Sequence, residues 1–243
     1  MMTGATHNPR HGTNGSTMLM LLVVAIAPSI GAASALWLWP GLVGSLIYAA
    51  CKSLLYGIPA IVAWKTIRRS DTRQGLLRGM GVRPVLFGLV SGILIGAGIL
   101  VLWYGWLANW SDVPRLVEKI EESGLGGPVR FWLFAAWMCV GNSLLEEFVF
   151  RWFIDSSLDR LRTPLALALP LSALIFTMHH VIVLAAYFDT LVVVLGSGGV
   201  FVGGLLWSIC LRRWRSLVPG WISHAIVDVA LVLIAAHALG FGP

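Results

Sequence analysis

The chain has 243 residues, 58% of them hydrophobic and only 12% charged, with twelve tryptophans. A soluble domain carries about 25% charged residues, so this composition excludes a water-soluble globular protein and indicates a polytopic α-helical membrane protein. The formal charge of +6 is no nucleic-acid signal, because the basic residues gather at Lys65–Arg83 and Arg212–Arg215, at the ends of apolar runs, where membrane topology accounts for them.

Residues 1–17 are polar and read as a disordered leader, with His7 and His11 in a solvated tail. The first span runs from Met18 to Trp39. It is long enough to cross and ends in no small-residue cleavage site, which favours a retained span over a signal peptide. The second span, Leu42 to Trp64, is interrupted by Lys52, which faces a polar interior or approaches a headgroup and is given no catalytic role. The following loop, Lys65–Arg83, sets six Lys/Arg against the single acid Asp71 and is therefore placed in the cytoplasm together with the N-terminus. The third span, Pro84 to Ala108, carries Gly88, Gly92, Gly96 and Gly98, a small-residue face suited to close helix packing. Residues 109–128 are net acidic and belong outside, and Leu116, Val117 and Ile120 among those charges suggest a short interfacial helix.

The fourth span, Val129 to Phe153, contains Glu146 and Glu147, with Arg151, Arg160 and Arg162 after them. The fifth, Leu165 to Phe188, holds His179 and His180; the sixth, Thr190 to Leu211, is rich in glycine; the seventh, Ser216 to Leu239, carries His224 and Asp228. The fold expected is all-α, a transmembrane bundle of seven spans, or eight helices with the interfacial one. Cys51, Cys139 and Cys210 stand apart in apolar sequence and read as small core residues, not as a disulfide framework or zinc site.

Charged side chains at bilayer depth are costly and mark functional sites by default. Residues four apart share a helix face, so Glu147 and Arg151 can satisfy each other, which leaves Glu146 aimed about 100° away. Asn142 lies one turn before Glu146; Phe176 shares a face with His180, and His224 with Asp228. Buried charges are tolerable only if they converge, so these faces are expected to meet in one cavity. A carboxylate there can act as general base on water, one histidine can share that water, and another can donate to a developing oxyanion. These are the parts of a hydrolase without a covalent nucleophile. Glu146, His180, His224 and Asp228 are the catalytic candidates, with Glu147, Arg151, Asn142 and Phe176 as structural or orienting residues. For His179 a hydrogen bond to a backbone carbonyl is the expectation. No HExxH occurs and no metal is called for, although His180, His224 and Glu146 form the ligand set a zinc reading would use.

The stretch Glu146-Glu147-Phe148-Val149-Phe150-Arg151 resembles the EExxxR motif of the CPBP family, the glutamic intramembrane proteases that include CAAX prenyl endopeptidases and bacterial Abi proteins. Phe176 to His180 is similar to its FxxxH motif, and His224 to Asp228 to its HxxxN/D motif, in family order. The resemblance implies a protease domain over residues 18–243 with a cavity open to the cytoplasmic side of a prokaryotic plasma membrane. It makes Glu146 the water-activating base assisted by His180, and puts His224 and Asp228 at the oxyanion, with no cofactor. Prenyl-protein endopeptidases usually have asparagine where this chain has Asp228, so Asp228 either carries a proton or orients His224.

The function expected is hydrolysis of a peptide bond in a membrane-embedded or lipid-anchored protein or peptide, with the lipid bilayer as the only other partner and no nucleic acid. A prenylated C-terminus, a bacteriocin-like precursor and a C-terminal sorting tail are all open as substrates. The rival is a non-catalytic immunity or scaffold protein, or a proton-linked transporter, against which stands the lack of repeated halves. Counting from Arg151 puts Glu146 about 7.5 Å along the helix, just below the inner interface, whereas His180 counted from Pro164 is about 24 Å deep. One shared site therefore requires the fifth helix to begin near Pro170.

Overall fold

The computed structural model describes residues 9–69 and 81–241. Helix α1 (Pro9–Ala33) continues through a π-turn (Ser34–Leu38) and is followed by α2 (Leu42–Arg69) and α3 (Val82–Gly105). The short α4 (Val113–Glu122) precedes α5 (Pro128–Arg160), α6 (Leu165–Tyr187), α7 (Thr190–Trp214) and α8 (Val218–Ala238). All but α4 are long and apolar enough to cross a membrane, and no strand occurs among the described residues. The chain is an integral membrane helical bundle. The first part of the leader (residues 1–8) and most of the basic loop (residues 70–80) lie outside the described residues; from Pro9 the chain is already helical.

The burial pattern is that of a protein solvated by lipid. Val101 is 73% exposed and Leu94 69%, while Arg151 is fully buried. Lipid tails are as apolar as leucine, so bundles close through tight packing of small residues and through internal polar contacts. The α3–α8 pair shows the first of these. A Cβ at Gly88 would lie 2.6 Å from the Pro219 carbonyl, and one at Gly92 3.0 Å from Ser223 Cα, so glycine alone lets these helices approach so closely. Gly96 follows against Ala230, which makes the two helices parallel. Between α6 and α7, Gly204 faces Ala173 and Gly196 faces Leu184, an antiparallel register.

The expected interfacial helix is present. Asp112 caps α4 by accepting from the Arg115 N–H at 3.1 Å, Pro114 occupies its first turn, and Leu116 and Ile120 are buried. This end of the bundle also carries Asp189, whose carboxylate accepts from the Asp112 N–H. The opposite end is basic: Arg212 bridges Asp159 at 3.0 Å, next to Arg160, Arg162, Arg213 and Arg215.

Helix α5 is wound unusually, with π-helical turns at Trp137–Asn142 and Glu147–Asp155 around a short α-helical piece, Ser143–Glu146. Such turns gather at functional sites. The helix also runs on to Arg160, so Arg151 does not mark its end, and the expected depth of Glu146 needs correcting. Glu146 is fourteen residues before Arg160, about 21 Å along a helix. His180 is fifteen residues after Leu165, about 22 Å. The two therefore match in depth with α6 starting at Leu165, and the expected start near Pro170 is corrected: Pro170 lies inside the helix.

Candidate active site

The two glutamates fall at a change of winding, Glu146 closing the α-helical piece and Glu147 opening the π-helical one. Both are buried, at 6% and 1% exposure. Their surroundings differ. Glu147 Oε1 accepts from His224 Nδ1 at 3.2 Å and lies 3.6 Å from Arg151 Nε. Its Oε2 backs onto Gly220, where a Cβ would come within 2.7 Å. The Arg151 guanidinium lies 4.6 Å over the Phe176 ring and 5.5 Å from the Trp207 ring, with Gly204 beneath it. A buried arginine over two aromatic faces gains cation–π attraction where water is absent. Gly220 on α8 thus makes room for the ion pair that α5 carries.

His224, 4% exposed, is held on several sides. Besides the Glu147 contact, its ring stacks on Trp207 with centroids 4.0 Å apart at 14°, and meets Phe176 edge-on at 5.8 Å. Its Nε2 faces Glu146 Oε2 at 3.6 Å and Asp228 Oδ1 at 3.8 Å. The carboxylate that orients His224 through Nδ1 is therefore Glu147, while Asp228 stands beside the nitrogen that faces Glu146. The expectation that Glu147 serves Arg151 alone is widened accordingly.

His180 Nδ1 lies 2.8 Å from the Phe176 carbonyl. A carbonyl only accepts, so Nδ1 carries the proton by inference from the network, and in a neutral ring Nε2 is left with a lone pair. One ligand atom each from Glu146, His179 and His180 lies within 4.8 Å of the others. The histidine that bonds a backbone carbonyl is thus His180, which corrects the assignment of that role to His179. His179 stacks on Phe150 at 5.4 Å, and its buried Nδ1 has no hydrogen-bond partner among the described residues. One helix cannot turn two adjacent side chains the same way, and it is His180 that reaches its i−4 carbonyl.

All four catalytic candidates meet, from α5, α6 and α8. Phe176 packs among Arg151, His180, Trp207 and His224; Asn142 is buried one turn before Glu146. The group that could hold a metal is Glu146, His179 and His180, not the set with His224. Sequence reasoning passed over Trp207, read only as part of a glycine-rich helix. It also passed over Asp155, buried one turn beyond Arg151 and within electrostatic reach of Arg151 and Arg212. Lys52 and Tyr56 of α2, hydrogen-bonded to each other at 3.1 Å, lie within electrostatic reach of Glu146. Lys52, alone in an apolar span, was a visible signal.

Residues 128–230 match the family model described as Type II CAAX prenyl endopeptidase Rce1-like, a segment that contains every catalytic candidate. No curated protein and no solved structure matches the chain.

Proposed function

With residues 128–230 matching the Rce1-like, type II CAAX prenyl endopeptidase family model, we propose that this protein is an intramembrane endopeptidase that hydrolyses a peptide bond of a membrane-anchored substrate with a water activated by Glu146. The observation that carries this reading is the unequal partnering of two adjacent carboxylates. Glu147 is committed to His224 and Arg151, whereas Glu146 accepts no hydrogen bond among the described residues and faces imidazole nitrogens.

In the proposed reaction, water sits between Glu146 and the lone-pair nitrogen of His180. Glu146 takes its proton as the oxygen attacks the scissile carbonyl. The oxyanion that forms accepts a hydrogen bond from His224 Nε2, whose orientation is fixed by Glu147 and Trp207. Glu146 then returns the proton to the leaving amine as the tetrahedral intermediate collapses. Asp228 and Glu147 flank His224, and it is the imidazolium form that has Nε2–H to give while Nδ1–H is given to Glu147. Asp228 thereby acts through His224.

The site opens, in this reading, toward the cytoplasm. Arg160, Arg162, Arg212, Arg213 and Arg215 gather at one end of the bundle, as the positive-inside rule requires of the cytoplasmic end. A second reading rests on the cluster of Glu146, His179 and His180, which suits a zinc ion. The Lys52 ammonium within reach of the same carboxylate opposes a divalent cation there. The reading is tested by incubating the purified protein, in liposomes, with a prenylated CAAX peptide and identifying products by mass. A single internal cut is expected; an intact peptide with folded protein overturns it.

A further inference from the structure

Lys52 is the one charged residue between Leu42 and Trp64. At 1.5 Å per residue it lies about 15 Å from Leu42 and about 21 Å from Thr66, so its stem cannot carry the charge to either end of the span. The ammonium is instead kept inside. It lies 5.5 Å and 5.3 Å from the ring centroids of Tyr48 and Tyr56, one turn to either side, and donates to Tyr56 Oη at 3.1 Å. It is within electrostatic reach of Glu146 and His179, yet forms no ion pair among the described residues.

The other charges of the site are matched at contact. Glu147 has Arg151, and Glu146 and Asp228 both have His224. Lys52, within electrostatic reach of Glu146, is the cation left with no carboxylate at contact among the described residues. An ammonium with no carboxylate at contact is unfavourable in a low-dielectric interior until an anion reaches it. A bound peptide supplies an anion of its own in its C-terminal carboxylate, and an ammonium backed by a tyrosine hydroxyl is a suitable receptor for it.

We propose that Lys52, held by Tyr56, binds the free C-terminal carboxylate of the substrate and so fixes the distance of the cut from the chain end. The assignment rests on the endopeptidase reading above. It makes Lys52 a specificity residue contributed by α2, outside the matched residues 128–230.

The experiment compares two prenylated CAAX peptides that differ only in ending as a free acid or as an amide. Wild type is expected to cleave the acid with at least tenfold higher kcat/KM, carried mainly by KM. In Lys52→Met the acid-to-amide ratio falls to about one, and in Tyr56→Phe to an intermediate value. Binding to the Glu146→Gln protein should show the same preference, and the Glu146→Gln/Lys52→Met double variant should lose it. Equal cleavage of acid and amide by wild type overturns the assignment and leaves the endopeptidase reading standing. So does a preserved ratio in Lys52→Met, even with both rates reduced. If wild type cleaves neither peptide and Glu146→Gln binds neither, the endopeptidase reading fails and this assignment with it.

Discussion

Gly220→Ala is the smallest change that separates the two glutamates. The added Cβ would lie 2.7 Å from Glu147 Oε2 and 3.5 Å from Trp207 Cβ. Carbon–oxygen contacts begin at about 3.3 Å, so the carboxylate must move by about 0.6 Å. Gly220 and His224 lie one turn apart on α8, so a push away from Gly220 is also a push away from His224. The Glu147–His224 hydrogen bond, now 3.2 Å, then lengthens to about 3.8 Å, beyond hydrogen-bond range. A hydrogen bond to a charged group contributes about 1.5–3 kcal/mol, and about 1.4 kcal/mol is tenfold in rate. The expected result is a fall in kcat/KM of about 10- to 100-fold, with a lowered melting temperature from the weakened buried pair. Gly98→Ala is the control, since nothing lies within 4 Å of its Cβ position and alanine favours the helix. It should match wild type in activity and melt no lower. Activity within twofold of wild type in Gly220→Ala would refute the role given to the Glu147–His224 contact.

Trp207→Leu removes the flat partner of His224 and one face over Arg151; kcat should fall about tenfold or more, with Trp207→Phe recovering part of it, as measured by steady-state kinetics beside thermal melts. Arg151→Met leaves Glu147 buried with no guanidinium, and breaking a buried pair costs about 3–5 kcal/mol, so folded yield in detergent should drop sharply. Pairing it with Glu147→Gln should restore part of that yield. Treatment with a zinc chelator should leave the initial rate unchanged; loss of activity restored by zinc would transfer the chemistry to Glu146, His179 and His180.

The spans were legible because each is a long apolar run punctuated by basic or acidic loops, a pattern fixed by the cost of burying backbone and charge in lipid. The convergence of the candidate site was legible for the same reason: Glu146, His180, His224 and Asp228 are expensive where they stand. What the sequence did not reveal depends on how helices end and wind. The depth argument placed Arg151 at an interface, but α5 continues to Arg160 and is π-wound across Glu147–Asp155, which no 3.6-residue periodicity expresses. Pro170 read as a helix start, yet its missing N–H costs one hydrogen bond within α6 and does not end it. Trp207 was hidden because an aromatic residue in an apolar helix carries no mark of what it stacks on. Gly220 was equally silent, since its role lies in the Glu147 side chain it admits.

The division of labour between Glu146 and Glu147 is tested most directly by single-turnover cleavage of a prenylated peptide. Wild type, Glu146→Gln and Glu147→Gln are compared at matched amounts of folded protein. A general base contributes about 10²–10⁴-fold, so Glu146→Gln should lose activity by that factor or more while still binding the peptide. Glu147→Gln should remain measurably active, with its deficit in the oxyanion step and in stability. A Glu146→Gln protein that cleaves within tenfold of wild type, or a Glu147→Gln protein that is the more impaired of the two, would contradict the account.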